Sequence, residues 1–387
     1  MALRLAAWSW FGDALVKAVV FLGLACAPAL GRTWVASPDG SSGDGLLAEI
    51  IPVYADGDSI ECLPGEHVWD QQDAPLERSV TIFGVSSGEV RVTGEWFAFR
   101  DCDFLVVEDL ALVRIVSGGG THGVKRVTIR GVELAETPVR LAITFGEIGI
   151  LDGCTIRDNV ADVLGGIAFG RMDWVEVTDC VFLRNQSEVG SPYDECACGG
   201  GALLIDSGTN AVIRGCAFVG NTGNAGCAMY QGVETGDLLF EENVVVGNID
   251  QTAAVVVNGS GESQIIRNNI FADNVGFGLW CGEWTRDFFR VYCNVFWQNR
   301  GFGGDGARDQ NNWYGLFSAR GFEGNSDFYS RVVDPQFCPE DSYGLAKESP
   351  LWLLTEPCTA VPGTGKGCGV DPVVRMSWGQ MKSLFGR

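Results

Sequence analysis

The residues whose types could support catalysis form a small basic cluster of Lys125, Arg126 and Arg130, preceded in the chain by Asp101 and Asp103. A basic side chain can abstract the proton beside a uronate carboxylate, and Asp side chains can hold the calcium ion that neutralises that carboxylate. The spacing of the cluster does not distinguish it from an ordinary column of surface charges. Catalysis by these residues, with Ca²⁺ as cofactor, is therefore the alternative hypothesis and not the preferred one.

Other catalytic arrangements have weaker signals. His122 stands in the Gly-rich loop 118–123 without the acidic motifs that would accompany a catalytic histidine, so it is interpreted as a solvated turn residue. Glycoside hydrolysis needs two carboxylates across a groove, and many of the 49 acidic residues could pair by chance. The sequence therefore assigns no catalytic residue with a specific motif.

The cysteines indicate disulfides and not a metal site. Of fourteen, thirteen remain once Cys26 is removed with a signal peptide, an odd number for an exported protein. Cys358 and Cys368 close a small loop near the end of the chain and are the first disulfide candidate, with Cys196 and Cys198 the second. No metal is predicted at Cys196 and Cys198, because zinc takes four ligands and no His lies near them in sequence.

Binding chemistry is indicated by two groups of apolar residues. Sugar rings stack on Trp faces, and four Trp residues crowd the last part of the repeat region, where they could equally form a hydrophobic lid. The four are Trp280, Trp284, Trp297 and Trp313. Val212, Leu239 and Ile265 occupy positions that should face outward, so they form a patch that needs a cover or a partner.

These candidates are positioned by a repeat that runs from Leu105 to Asn299. One eleven-residue pattern recurs eight times: apolar, any, apolar, two of any type, Cys or Asn or aliphatic, any, apolar, two of any type, Asn. Its clearest copies are Val175–Asn185, Ala211–Asn221 and Leu238–Asn248. The copies follow each other at intervals of 22 to 27 residues, with one interval of 36, which predicts a solenoid.

Stacking turns equivalent positions of the pattern into columns. The third and eighth positions are apolar in every copy and are predicted to form the core, with Phe182 and Phe218 among them. Cys154, Cys180 and Cys216 share the sixth position and are predicted to be reduced thiols of the interior. The terminal Asn is expected at a bend, in a left-handed conformation, with its amide bonded to the coils above and below.

One outward column alternates in charge and is predicted to be a surface charge ladder. It consists of Arg130, Asp152, Thr178, Arg214, Glu241, Arg267 and Tyr292. A third strand follows a Gly-rich bend in most coils, as in residues 165–169 and 200–205. Three short strands in each coil predict a parallel β-helix.

The sequences Gly-Gly-Ile-Ala at 165–168 and Gly-Gly-Ala-Leu at 200–203, with Phe-x-x-Asn at 182–185 and 218–221, resemble repeats of polymorphic outer-membrane proteins and related secreted β-helix proteins. Residues 55–65 resemble the first coil of pectate-lyase-like helices. The resemblance implies an all-β fold, a single-stranded right-handed parallel β-helix of about nine coils with an N-terminal cap and an irregular C-terminal cap. It implies no activity, because this fold hosts lyases, hydrolases, adhesins and inert scaffolds.

Five segments are predicted along the chain. Residues 1–31 are interpreted as a signal peptide, because basic residues precede an apolar run that ends in small residues. The other segments are the N-terminal cap and first coil at 32–66, the β-helix at 67–300, the C-terminal cap at 301–372 and a tail at 373–387. The mature protein is therefore expected to be secreted or attached to the cell surface, without a transmembrane span.

The net charge of −22 predicts a surface that repels nucleic acid and polyanionic glycans. The preferred hypothesis is a binding, adhesion or structural scaffold that contacts a glycan, a cell-envelope component or a protein partner, without catalysis or a cofactor. A polysaccharide lyase or glycoside hydrolase acting in the groove of the β-helix is the alternative. Residues 311–372 are expected to cover the row Val212, Leu239 and Ile265, since a cover from the same chain loses less entropy than a partner does.

Overall fold

The computed structural model describes most of the chain, and its regular structure is almost entirely β-strand. The helix Leu47–Ile50 and the 3-10 helix Pro350–Leu353 are the exceptions among the described residues. The described residues are 31–69, 75–85, 89–138, 141–161, 165–187, 201–223, 225–232, 236–281, 289–299, 313–315, 333–338, 341–347, 349–353 and 358.

Eleven strands stack in parallel to form sheet A. They are Thr33–Ala36, Asp58–Cys62, Val80–Gly84, Phe104–Glu108, Arg126–Arg130, Ile148–Asp152, Trp174–Thr178, Asn210–Arg214, Leu238–Glu241, Gln264–Arg267 and Phe289–Tyr292. The last eight each carry one copy of the predicted repeat. They pair in register, so equivalent positions lie above one another, as Val177, Ile213 and Phe240 do.

The other strands of each coil form two further faces, B and C, which close the solenoid. Face B contains Gly65–Trp69, the first parts of Val90–Arg100 and Ala111–His122, and then Glu133–Ala135, Thr155–Arg157, Val181–Leu183, Ala217–Val219, Val244–Val246, Ile270–Ala272 and Val295–Trp297. Face C contains the last parts of Val90–Arg100 and Ala111–His122, and then Leu141–Thr144, Ile167–Gly170, Leu203–Asp206, Met229–Gln231, Ile249–Val257, Val275–Cys281 and Trp313–Gly315. The short strands Val160–Ala161, Gln186–Ser187 and Thr222–Gly223 lie between them. This architecture confirms the all-β parallel solenoid.

Two left-handed residues bend every copy of the repeat. The first is at the fifth position, between sheet A and face B, with φ between 51° and 64°: Asp109, Gly131, Gly153, Asp179, Gly215, Glu242, Asn268 and Cys293. The second is at the tenth position, with φ between 47° and 64°: Arg114, Glu136, Asp158, Arg184, Gly220, Gly247, Asp273 and Gln298. The prediction that the terminal Asn itself is left-handed is therefore wrong, because the residue before it makes the bend.

The terminal Asn residues form a buried ladder, which confirms the predicted amide stacking. From Asn159 to Asn299, each Nδ2 donates to the Oδ1 of the next Asn at 2.7 to 3.0 Å. A second ladder occupies the sixth position, where Asn243 donates to Asn269 and Asn269 to Asn294. Each amide also donates to a backbone carbonyl of the preceding coil, so the side chains tie the coils together at two corners.

The interior matches the predicted columns. Phe182 and Phe218 are fully buried and stacked, with ring centroids 4.7 Å apart. Cys154, Cys180 and Cys216 are buried free thiols, as predicted, and the backbone N–H of Cys154 donates to Cys180 Sγ at 3.4 Å. Burial, together with the neighbouring thiols, raises the pKa of Cys180 well above its ordinary value. Cys180 is therefore a poor nucleophile at neutral pH.

The predicted disulfide between Cys358 and Cys368 is wrong. Cys358 is bonded to Cys293, which lies 65 residues earlier at the bend after the last sheet A strand. The bond ties the end of the chain to the last coil instead of closing a local loop. Cys196, Cys198 and Cys368 lie outside the described residues.

The C-terminal segment packs back along face B. Leu345 and Leu351 are buried against outward-facing residues of that face, which include Val244 and Ile270. Phe337–Cys338 and Asp341–Leu345 form a small antiparallel pair there. The expectation that this segment covers Val212, Leu239 and Ile265 is therefore corrected: its described residues cover face B.

At the other end of the solenoid, Thr33–Ala36 pairs with Asp58–Cys62 and adds a first strand to sheet A. The helix Leu47–Ile50 lies within the predicted N-terminal cap, with Leu47 and Ile50 in the core. Residues 1–30 and 359–387 lie outside the described residues, and the predicted segment boundaries stay predictions. No helix among the described residues is long and apolar enough to cross a membrane.

Candidate functional site on the outer face of sheet A

The outer face of sheet A is the candidate site because it displays side chains in straight rows. Every strand of the sheet alternates inward and outward residues, as Trp174–Thr178 does with Val175 and Val177 buried. Neighbouring strands of such a sheet lie about 4.8 Å apart, so six successive strands span roughly 24 Å along the solenoid axis. A long ligand could therefore meet the same chemistry at each coil.

Val212, Leu239 and Ile265 form the aliphatic row of this face. They are direct register partners on three neighbouring strands, and each is half-buried. The predicted outward orientation is confirmed. A row of three neighbouring aliphatic side chains on the outer face of the sheet is a candidate contact surface.

The charged row beside it forms the predicted ladder. Arg214 and Arg267 both pair with the carboxylate of Glu241, the second through Nε at 2.5 Å. Arg267 also donates to the hydroxyl of Tyr292 at 3.0 Å. Glu241 is only 2 % exposed although it points outward, because the two guanidinium groups enclose it. These side chains are held in fixed positions before any ligand arrives.

Glu176 interrupts the aliphatic row one coil below Val212. It is half-buried between register partners Ile150 and Val212. Burial raises the pKa of Glu176, the charge of Asp152 raises it further, and Arg214 and Arg130 oppose the shift. Glu176 was not among the residues predicted for a site. Its signal was its position: it is the one carboxylate at the second position of the repeat in eight copies.

The predicted basic cluster does not converge on one point. Arg126 and Arg130 lie at opposite ends of one strand, roughly 13 Å apart at about 3.3 Å per residue. Arg130 Nη1 pairs with Glu108 at 3.4 Å. Lys125 donates to Asp103 at 2.6 Å, and this hydrogen bond raises the pKa of the lysine. Lys125 therefore keeps its proton at neutral pH, whereas proton abstraction needs a lowered lysine pKa.

The four candidate Trp residues do not form one binding surface among the described residues. Trp280 is half-buried on face C, against Val256 and other apolar residues. Trp297 is half-buried on face B, in the cluster that the C-terminal segment covers. The backbone of Trp313 extends face C beside Leu279. Trp284 lies outside the described residues.

No group of three or more His, Cys, Asp or Glu side chains in the described part of the chain could hold a metal ion. Residues 114–305 match the family described as the right handed beta helix region. No curated protein matches the sequence.

Three solved structures are similar to this chain at low identity. Pectate lyase Pel9A is 12 % identical with a TM-score of 0.37, over 88 % of this chain and 98 % of that one. The A-module of mannuronan C-5 epimerase AlgE6 from Azotobacter vinelandii is 16 % identical with a TM-score of 0.31, over 72 % of this chain and 91 % of that one. A rhamnogalacturonan lyase is 10 % identical with a TM-score of 0.31, over 87 % of this chain and 96 % of that one. Identities this low do not carry an activity over to this chain.

Proposed function

We propose that this right-handed parallel β-helix protein is a secreted or cell-surface binding protein whose outer face of sheet A contacts a neutral glycan along the solenoid axis. The observation that carries the proposal is the half-buried, outward-facing row Val212, Leu239 and Ile265 beside the ion-paired row Arg214, Glu241 and Arg267. Binding, and not catalysis, is its role at this face.

The two rows offer the two kinds of contact that a sugar needs. A sugar ring has an apolar C–H face, which an aliphatic row desolvates, and hydroxyl groups at its edge, which accept and donate hydrogen bonds. Glu241 and its two arginines are already fixed by each other, so little side-chain entropy is lost when hydroxyl groups bind to them. The ladder therefore adds directional hydrogen bonding to the apolar contact.

Charge favours a neutral ligand. The chain carries a net charge of −22, and Arg214 and Arg267 are both ion-paired with Glu241. A polyanionic glycan would be repelled by the protein as a whole and would find no unpaired cation in this ladder. The disulfide between Cys293 and Cys358 supports an oxidising location outside the cytosol.

A glycan array, probed with and without calcium, tests the proposal. We expect the protein to bind neutral glycans, with no requirement for calcium and no selection of uronate polymers. Leu239→Lys places a charge in the middle of the aliphatic row and is expected to abolish the signal. Ile249→Lys is the matched control, because Ile249 is also aliphatic and 48 % exposed but lies outside sheet A.

One observation favours glycoside hydrolysis as a second candidate function. Glu176 and Asp152 lie on neighbouring strands two positions apart in register, which places their Cα atoms roughly 8 Å apart. Both side chains leave the same outer face of sheet A, and the general acid of an inverting glycosidase has a raised pKa, as Glu176 does. Release of reducing ends from a bound glycan, abolished by Glu176→Gln, would establish this activity. A glycan that binds and stays intact would exclude it for that glycan.

A further inference from the structure

A second surface, at the corner between face C and sheet A, has unusual properties. Phe145 occupies this corner with φ of 60° and with 44 % of its surface exposed. The His122 ring lies against it with centroids 4.5 Å apart, and Arg171 Cζ lies 4.7 Å from its centroid. Arg100 is the register partner of His122 on the preceding strand. We call Arg100, His122, Phe145 and Arg171 the corner patch.

Stability does not account for Phe145. A left-handed backbone conformation is unfavourable for a bulky residue, and a phenyl ring that is 44 % exposed is only partly withdrawn from water. The equivalent positions of the neighbouring coils are Asp101, Gly123 and Arg171, which make the same left-handed bend with φ of 50°, 71° and 54°. The bend is therefore common to this corner, and the unusual feature of Phe145 is a large apolar ring with 44 % of its surface exposed, which indicates a role in binding.

The cations of the corner patch are unusual in this acidic chain. The ion pairs between described residues do not include Arg100 or Arg171, and both side chains are exposed. The Thr144 hydroxyl lies 3.4 Å from His122 Nδ1, which leaves Nε2 facing away from it. Asp101 and Asp206 flank the patch, and Asp206 already accepts bonds from Ser207. The guanidinium groups are thus available to an external oxyanion.

We propose that the corner patch binds a sugar that carries an oxyanion, with the sugar ring against Phe145 and the oxyanion at the guanidinium group of Arg171. Guanidinium groups bind planar and tetrahedral oxyanions in a bidentate manner, and an exposed aromatic ring provides the apolar contact for a ring-shaped ligand. Phosphate, sulfate and carboxylate share this chemistry. The site is separate from the neutral-glycan face, so either proposal can fail without the other.

Isothermal titration at low salt tests the proposal with glucose 6-phosphate, glucose 6-sulfate, glucuronate, unmodified glucose and inorganic phosphate. We expect at least one of the three anionic sugars to bind about tenfold more tightly than both glucose and inorganic phosphate. The preferred anionic sugar identifies the oxyanion. Arg171→Gln should weaken that binding about tenfold or more, whereas Arg114→Gln, which removes an exposed arginine from another corner, should not change it.

Phe145→Gly separates a binding role from a structural one. Glycine adopts the left-handed conformation without strain, so the Tm should stay the same or rise while binding of the anionic sugar is lost. A lower Tm for Phe145→Gly would show that the ring is structural and would overturn the proposal. So would anionic sugars that bind no better than glucose, or inorganic phosphate that binds as tightly as they do.

Discussion

Asn248→Ala tests whether the buried ladder of terminal Asn residues holds the coils together. Asn248 Oδ1 accepts from the backbone N–H and from Nδ2 of Asn221, at 2.9 and 3.0 Å. Its Nδ2 donates to the Phe218 carbonyl at 2.9 Å and to Asn274 Oδ1 at 3.0 Å. The side chain therefore bonds to the coils on both sides of its own, in the dry interior of a corner.

The magnitude follows from the groups that alanine would leave without partners. The backbone N–H of Asn221 and the Phe218 carbonyl both lose their side-chain partner in a fully buried position. An unsatisfied buried polar group costs about 1–3 kcal/mol, so two of them predict a loss of about 2–6 kcal/mol in the free energy of unfolding. This is a large fraction of the stability of a typical domain.

Urea denaturation, followed by Trp fluorescence and circular dichroism, measures this loss as a shift in the unfolding midpoint. Asn210→Ala is the matched control. Asn210 also bonds to neighbouring coils, at Asp173 O and Asp237 N, but it is half-exposed and water can replace those bonds, so about 1 kcal/mol or less is expected. If Asn248→Ala costs no more than Asn210→Ala, the ladder does not stabilise the stack and the reasoning is wrong.

Three further predictions concern the core, the pH dependence and the cysteines. Phe218→Asp buries a charge in the aromatic stack and should cost several kcal/mol; soluble, protease-resistant protein would contradict the register. Burial raises the pKa of Asp250 to about 6, so the folded state binds this proton more tightly than the unfolded state. The stabilisation by this bound proton is fully present below the ordinary carboxyl pKa. As pH rises through about 6 it is lost, and the free energy of unfolding falls by up to about 3 kcal/mol. Asp250→Asn should remove this part of the decline between pH 4 and pH 7 in unfolding experiments, and an unchanged pH profile would refute the assignment. Alkylation of native protein should spare Cys180, and mass mapping should find Cys293 joined to Cys358; rapid labelling of Cys180 would place it outside the core.

The repeat made the fold predictable from sequence. Because every coil repeats the same pattern, eight imperfect copies together specify one register. The residues predicted for the core at the third and eighth positions are buried in all eight copies. The bends were harder to place. Asn tolerates a left-handed conformation in isolation, but here its amide has to reach the neighbouring coil from a buried position, so the exposed residue before it takes the strained backbone.

The covered flank had a sequence signal that was not used. A strand that is buried on one face alternates, as Trp174–Thr178 does, whereas a strand that is buried on both faces is apolar throughout, as Val244–Val246 is. The three consecutive valines therefore indicated that face B, and not sheet A, is covered. Nothing comparable indicated the Cys293–Cys358 bond, because a separation of 65 residues gives no local sign of contact.

Glu176 shows why the candidate site was only partly predictable. Its place in the second position of the repeat is visible in the sequence, but its raised pKa depends on burial by Ile150 and Val212 and on the charge of Asp152. Those neighbours are 24 to 36 residues away in the chain and become neighbours only through the register. The corner patch has the same origin, since His122, Phe145 and Arg171 come from three different coils.

The most direct test of the proposed function is the dissociation constant of the best neutral glycan from the array, measured by titration calorimetry for the wild type, Leu239→Lys and Ile249→Lys. A binding face on sheet A predicts that Leu239→Lys weakens the affinity by more than about tenfold, because the loss of apolar contact and the burial of a charge together exceed about 1.4 kcal/mol. Ile249→Lys should bind as the wild type does. Equal dissociation constants for all three proteins would contradict the claim that this face binds the glycan.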